Sequence, residues 1–152
     1  MPLPAGVPSV PAQLCLLDSL PPAYATLPPR LRVVGRVLAY DAGRALALLT
    51  DGSHAVLVDL SLVLHNNPFL SGGAAPRIKD RLMVTGELFK FETALSAPPI
   101  SLALASRAAP TYDEHVVLRA ERAQECEELD MEKWREAVKA VHDMVGGAST
   151  TR

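Results

Sequence analysis

Hydrophobic and polar positions change their period several times along this chain of 152 residues. Between about Leu31 and Tyr40, the residues Leu31, Val33, Val37 and Ala39 alternate with Arg32, Arg36 and Tyr40. A period of two predicts a β-strand with one buried face. Val34 and Leu38 fall on the other face, and Gly35 inside the strand marks a bulge or sharp bend. Asp41-Ala42-Gly43 reads as a short turn in which Gly43 can take a positive φ. A second strand follows over Arg44 to Thr50, and Asp51-Gly52 is a hairpin signal before a third strand over His54 to Leu60. Ser61 to Asn66 fits one helical turn ahead of the turn-rich stretch NNPFLSGGAAPR.

The pattern resumes with a fourth strand over Arg81 to Phe91. Leu82, Val84 and Leu88 face one way and Met83, Thr85, Glu87, Phe89 and Phe91 the other, with Gly86 interrupting as Gly35 does. Glu92 to Pro110 reads as a long loop before a last strand over Asp113 to Glu121. The Ile100 to Ala105 run suits either the loop or the start of that strand. The period then changes. Met131, Trp134, Val138, Val141 and Val145 recur at spacings of three and four, the apolar stripe of a helix. Asp130 is a good N-cap, and Gly146-Gly147 is expected to end the helix. Residues 1–30 are rich in proline and read as an irregular arm, with Ala12 to Leu20 packing as a short helical turn. The expected organisation is therefore an arm (1–30), a barrel (31–122) and a terminal helix (129–146). Five strands with bent first and fourth members plus a helix make an all-β fold, a five-stranded oligonucleotide/oligosaccharide-binding (OB) barrel with a C-terminal α-helix.

Composition narrows the functional classes. The net charge is −2, whereas a free-standing nucleic-acid binder is normally strongly basic. The charge is uneven: Arg30 to Arg81 holds seven bases and four acids, and Asp113 to Asp143 ten acids and five bases. No apolar run is long enough to span a bilayer, and the proline-broken N-terminus makes a poor signal peptide. Cys15 and Cys126 form no CxxC and read as small apolar filler in a reducing compartment. No catalytic, metal or cofactor site is expected. His54, His65, His115 and His142 lack ligand spacing, Ser53 sits outside any nucleophile elbow, and Gly72-Gly73 lacks the Lys-Ser/Thr of a phosphate loop. The acids Glu125, Glu127, Glu128 and Asp130 lack calcium-loop spacing. His142, beside Asp143 on the helix, reads as solvated.

The segments LRVVGRVLAYD, ALLTDGSHAVLVDLSLVL, VTGEL and LDMEKWREAVKAVHDMV, in this order and spacing, resemble the smallest subunit of the CST telomere-capping complex. They are also similar to its relative, the small subunit of replication protein A. The resemblance covers roughly Leu31 to Val145. The N-terminal arm and the loop from Glu92 are longer than in either relative. It implies a non-catalytic subunit in the nucleus, at chromosome ends, within a heteromeric single-stranded-DNA-binding complex. It also implies a larger OB partner that packs on the terminal helix, and a third, large subunit. The expected partner residues are Met131, Trp134, Val138, Val141 and Val145. Truncating Trp134 is expected to cost about 2 to 4 kcal/mol of association if the stripe is an interface anchor. The alternative is that the stripe only caps its own barrel. For telomeric single-stranded DNA the expected residues are Tyr40 with Arg36 and Arg44, and Arg77, Lys79 and Arg81. With seven aromatics in the chain, DNA binding is expected to be weak and mainly through the complex. A membership in replication protein A and a protein-recognising adaptor role are the remaining alternatives.

Overall fold

The structure is a computed structural model. It describes residues 11–23, 28–66, 76–100 and 109–150, with side chains of the last helix described as far as Met144. Tyr24, Phe69, Arg107 and most of the Ile100 to Ala105 run lie outside the described residues.

Among the described residues six strands and two α-helices follow in order: β1 (Gln13–Leu14), β2 (Arg30–Asp41), β3 (Leu46–Thr50), β4 (Ala55–Asp59), α1 (Ser61–Asn66), β5 (Arg81–Lys90), β6 (Val116–Glu125) and α2 (Met131–Thr150). Strands β2, β3, β4, β6 and β5 pair in that order, and β2 pairs again with β5, so the sheet closes into a barrel. The closing seam between β4 and β6 is parallel. This is the expected five-stranded OB barrel with a terminal helix. Within the described part of the arm, β1 adds two residues to β2 in parallel. A 3-10 turn over Leu17–Ser19 follows it.

β2 is long because it serves two neighbours. Its first half, Arg30 to Arg36, pairs with β5, and its second half, Arg36 to Asp41, with β3. Gly35 stands at the changeover, where an added Cβ would lie 2.9 Å from both the Leu49 side chain and the Thr50 carbonyl. A register shift between Val37 and Ala39 then reverses the alternation. Ala39 turns outward and Tyr40 packs against the inner core, the opposite of the simple period-two reading. In the β2–β3 turn the left-handed residue is Ala45 (φ 51) and not Gly43, because the Asp41 carboxylate accepts the Gly43 and Arg44 amides and fixes the turn earlier. Asp51-Gly52 forms the expected hairpin, with Gly52 at φ 111 and Asp51 accepting the Ser53 and His54 amides.

Two expected boundaries move. The last strand runs from Val116 to Glu125 rather than from Asp113 to Glu121, because Asp113 and His115 form a turn of their own. α2 runs on to Thr150 through Gly146-Gly147. Glycine weakens a helix by about 1 kcal/mol, but it ends one only where the chain turns left-handed.

The barrel core is filled by Leu31, Val33, Val37, Ala47, Leu49, Val56, Val58, Leu82, Val84, Leu88 and Leu118, with Cys15 and Leu17 of the arm. The outside of the sheet is also apolar in two places. Ala39, Leu46, Leu48, Ala55, Leu57 and Val117 form a second cluster, roofed by Leu95, Ala97, Ile100 and Tyr112 of the β5–β6 connection. Val34 and Leu16 form a third, beneath Trp134 and Val138 of α2. The four-residue apolar runs in β3 and β4 therefore have both faces buried.

Candidate partner and nucleic-acid surfaces

α2 begins where Asp130 accepts the backbone amides of Glu132 (3.0 Å) and Lys133 (3.3 Å), satisfying two of the orphan donors of the first turn. Its inner face lies on the barrel. Trp134 is 8% exposed and Val138 fully buried, packed with Leu14, Leu16, Val34, Met83, Cys126, Leu129 and Met131. Arg135 reaches Asp18 of the arm (3.6 Å) and Asp51 of the β3–β4 hairpin (3.5 Å). The His142 ring meets the Leu14 carbonyl at 2.8 Å through Nε2, so this histidine is part-buried rather than solvated. From Met131 to His142 the helix is thus fastened to the arm and barrel of its own chain.

The five residues expected to meet a partner do not share one environment. Trp134 and Val138 are already covered. Met131 is half-buried, Val141 is 37% exposed, and the Val145 side chain lies outside the described residues. Beside Val141 stand Ala137 and Ala140, both exposed, and Met144, 75% exposed. Positions 137, 140, 141 and 144 fall on one flank of a helix. Sequence reasoning missed this flank because the buried and exposed apolar positions merge into one broad stripe. The signal was the width of that stripe, with Met144 seven residues beyond Ala137.

The basic residues expected to meet DNA separate into two groups. Arg36, Lys79 and Arg81 line one groove of about 520 Å³, together with Gly35, Gly52 and Met131. Two of these arginines are committed to the chain itself. Arg36 donates to the Lys79 carbonyl (2.7 Å) and pairs with Glu127 (3.4 Å). Arg81 donates through its side chain to the carbonyls of Glu127 (3.2 Å) and Leu129 (2.6 Å). Its backbone amide, 2.7 Å from the Glu127 carboxylate, is the main cause holding that carboxyl below its ordinary range, with Arg36 and Arg81 adding attraction. These bonds anchor the β6–α2 linker. Arg77 pairs with Asp80 at 3.7 Å. At the other end of β2, Arg44 pairs with Asp41 (2.7 Å) and reaches Ser96 of the β5–β6 connection (3.4 Å). That bond holds the Asp41 carboxyl below its ordinary range. Tyr40 is half-buried, and its hydroxyl is pushed up first by burial and then by Asp41. The structure therefore brings Arg36, Lys79 and Arg81 together and sets Tyr40 and Arg44 apart from them.

The cysteines are free thiols. Burial, with Asp18 beside it, pushes Cys15 up to about 11, and burial also raises Cys126. Among the described residues no cluster of His, Cys, Asp or Glu suited to a metal ion occurs, and no helix is long and apolar enough to cross a membrane.

Comparison with solved structures extends over nearly the whole chain. The crystal structure of telomere capping protein Ten1 from S. pombe superposes with a TM-score of 0.55 at 14% identity, covering 88% of this chain and 99% of that one. The fold is shared with Ten1. A chain of the S. pombe Stn1–Ten1 complex superposes with a TM-score of 0.58 at 16% identity, covering 90% of this chain and 96% of that one. No protein-family model matches the sequence, and no curated protein matches it closely.

Proposed function

We propose that this chain is a non-catalytic subunit of the Ten1 type, nuclear and telomeric. It holds a larger OB-fold partner of the Stn1 type through the outer flank of α2, within a heteromeric complex that binds single-stranded telomeric DNA for capping and replication. The observation that carries this reading is the uncovered flank of Ala137, Ala140, Val141 and Met144 on a helix whose other face is already satisfied. An exposed apolar strip on a docked helix lowers its free energy when a second chain covers it. The likeness to the Ten1 fold over about nine-tenths of the chain, and the solved complex of Stn1 with Ten1, support a partner of the Stn1 kind. The DNA contribution of this subunit is auxiliary, because Arg36, Arg44, Arg77 and Arg81 are engaged within the chain.

The test is affinity purification from native cells with mass spectrometry, for the wild type and for the double variant Val141→Asp/Met144→Asp. A larger OB protein of the Stn1 type that the wild type captures and the variant loses is the expected result. Capture of the two larger subunits of replication protein A instead would move the protein to general replication. Capture of no OB protein would overturn the subunit reading.

A further inference from the structure

The outer surface of the barrel is divided into three. The side formed by β3 and β4 is roofed by the β5–β6 connection. That connection is fastened by backbone bonds from the Leu95 amide to the Glu114 carbonyl (2.9 Å), from the Ala55 amide to the Thr111 carbonyl (2.9 Å) and from the Thr111 amide to the Ser53 carbonyl (2.8 Å). OB barrels take oligonucleotides on the face of their second and third strands, here β3 and β4. In this chain that face is aliphatic and internally occupied. It offers no aromatic platform even when the roof is ignored, since its residues are alanines, leucines and a valine. A second side, around Val34 and Met83, lies under α2. Between the two covered sides runs a stripe across β2, β5 and β6 that is exposed along β6, at Arg119 and Arg122, and closed at its centre by the buried Thr85.

Register fixes what this stripe displays. Residues directly opposite one another project from the same face. One row is Arg32, Thr85 and Arg122, and the next is Arg30, Glu87 and Arg119. Arg30 pairs with Glu121 at 2.7 Å, and Arg32 donates to the Thr85 hydroxyl at 3.2 Å. Arg119 and Arg122 are exposed and make no ion pair among the described residues. The Arg119 guanidinium lies 4.6 Å from the centroid of the Phe89 ring. Arg119 also borders an open cleft with Leu62, Ser61 and Asp59. A guanidinium lying over an aromatic ring, with Arg122 three residues along the same strand, suits a phosphate chain whose bases stack as they pass.

We infer that the chain meets single-stranded nucleic acid on the β2–β5–β6 stripe, through Arg119, Arg122 and the Phe89 ring, and not on the roofed β3–β4 face. This inference rests on the single-stranded-DNA part of the proposed function and is independent of the partner assignment. It is tested with the full chain alone and a fluorescent oligothymidine in low salt. Arg119→Ala/Arg122→Ala weakens binding about tenfold and lowers the slope of log affinity against log salt by about 1 to 2. Arg36→Ala/Lys79→Ala changes affinity by less than about twofold. A wild-type chain that binds no oligonucleotide at low salt overturns the inference. So does an equal or larger loss from Arg36→Ala/Lys79→Ala. Failure to capture a Stn1-type partner, measured separately, overturns the subunit reading and leaves this result standing.

Discussion

The two flanks of α2 are built from similar residues and face different fates. On the inner flank Trp134 and Val138 fill a space between Leu16 and Val34, and the chain itself supplies everything they touch. On the outer flank Val141 and Met144 stay partly open to solvent among the described residues, at 37% and 75% exposure. Hydrophobicity alone does not mark an interface. What marks it is apolar surface left over after the chain has satisfied itself.

The strongest way to break this comparison is at the inner flank. Trp134→Ala is expected to destabilise the fold by about 3 to 5 kcal/mol, as large aromatic truncations in cores do, with a matching fall in the urea midpoint. An unchanged midpoint would mean that Trp134 belongs to the outer face after all. The outer flank responds in the opposite sense. Val141→Asp/Met144→Asp is expected to leave the thermal midpoint of the isolated chain within a few degrees, because surface changes seldom exceed about 0.5 kcal/mol. The same pair removes about 2 kcal/mol or more of partner affinity, measured by titration calorimetry. A large loss of monomer stability would show that this flank is covered by its own chain. Asp130→Ala, which removes the cap at the start of both flanks, is expected to cost about 1 kcal/mol in chemical denaturation.

The smallest expected effect is on pH. The folded chain holds the Glu127 carboxyl below its ordinary value, chiefly through the Arg81 backbone amide. The unfolded chain therefore takes up a proton before the folded chain does as pH falls. The stability from this group is present above the ordinary carboxylate range and is lost as pH drops toward the folded value. Glu127→Gln should shallow the acid limb of a stability curve while leaving its shape above neutrality unchanged. Asp41, held low mainly by its hydrogen bond from Arg44, contributes in the same direction and remains in that variant.

Most of the barrel was legible in the sequence, because strand alternation and the Asp51-Gly52 turn are local signals. The double burial of β3 and β4 was also visible as unbroken apolar runs at Leu46 to Leu49 and Ala55 to Val58. Three features were not. A register shift at Val37/Ala39 inverted Tyr40, and nothing in the neighbouring residue types announces a bulge there. β6 was placed early because its open outer face carries Arg119, Glu121 and Arg122, and its inner face is filled by Ala120 and Ala123 rather than by large residues. The pairing of Gln13 and Leu14 was missed because its partner, Leu31 to Arg32, lies outside the local pattern. Of the partner residues, the helix and its apolar character were readable. The division between its two flanks required knowing where the barrel lies.

The bond from His142 to Leu14 joins residues 128 apart in sequence, and Arg135 to Asp18 spans almost as much of the chain. During synthesis the arm emerges well before α2, and neither contact can form until α2 has followed it. Loop closure over that distance comes late and carries an entropic cost. A truncation that trims the first twenty residues would therefore loosen a helix at the far end. A tag or deletion at the N-terminus can then look like a lost partner without touching a single partner contact.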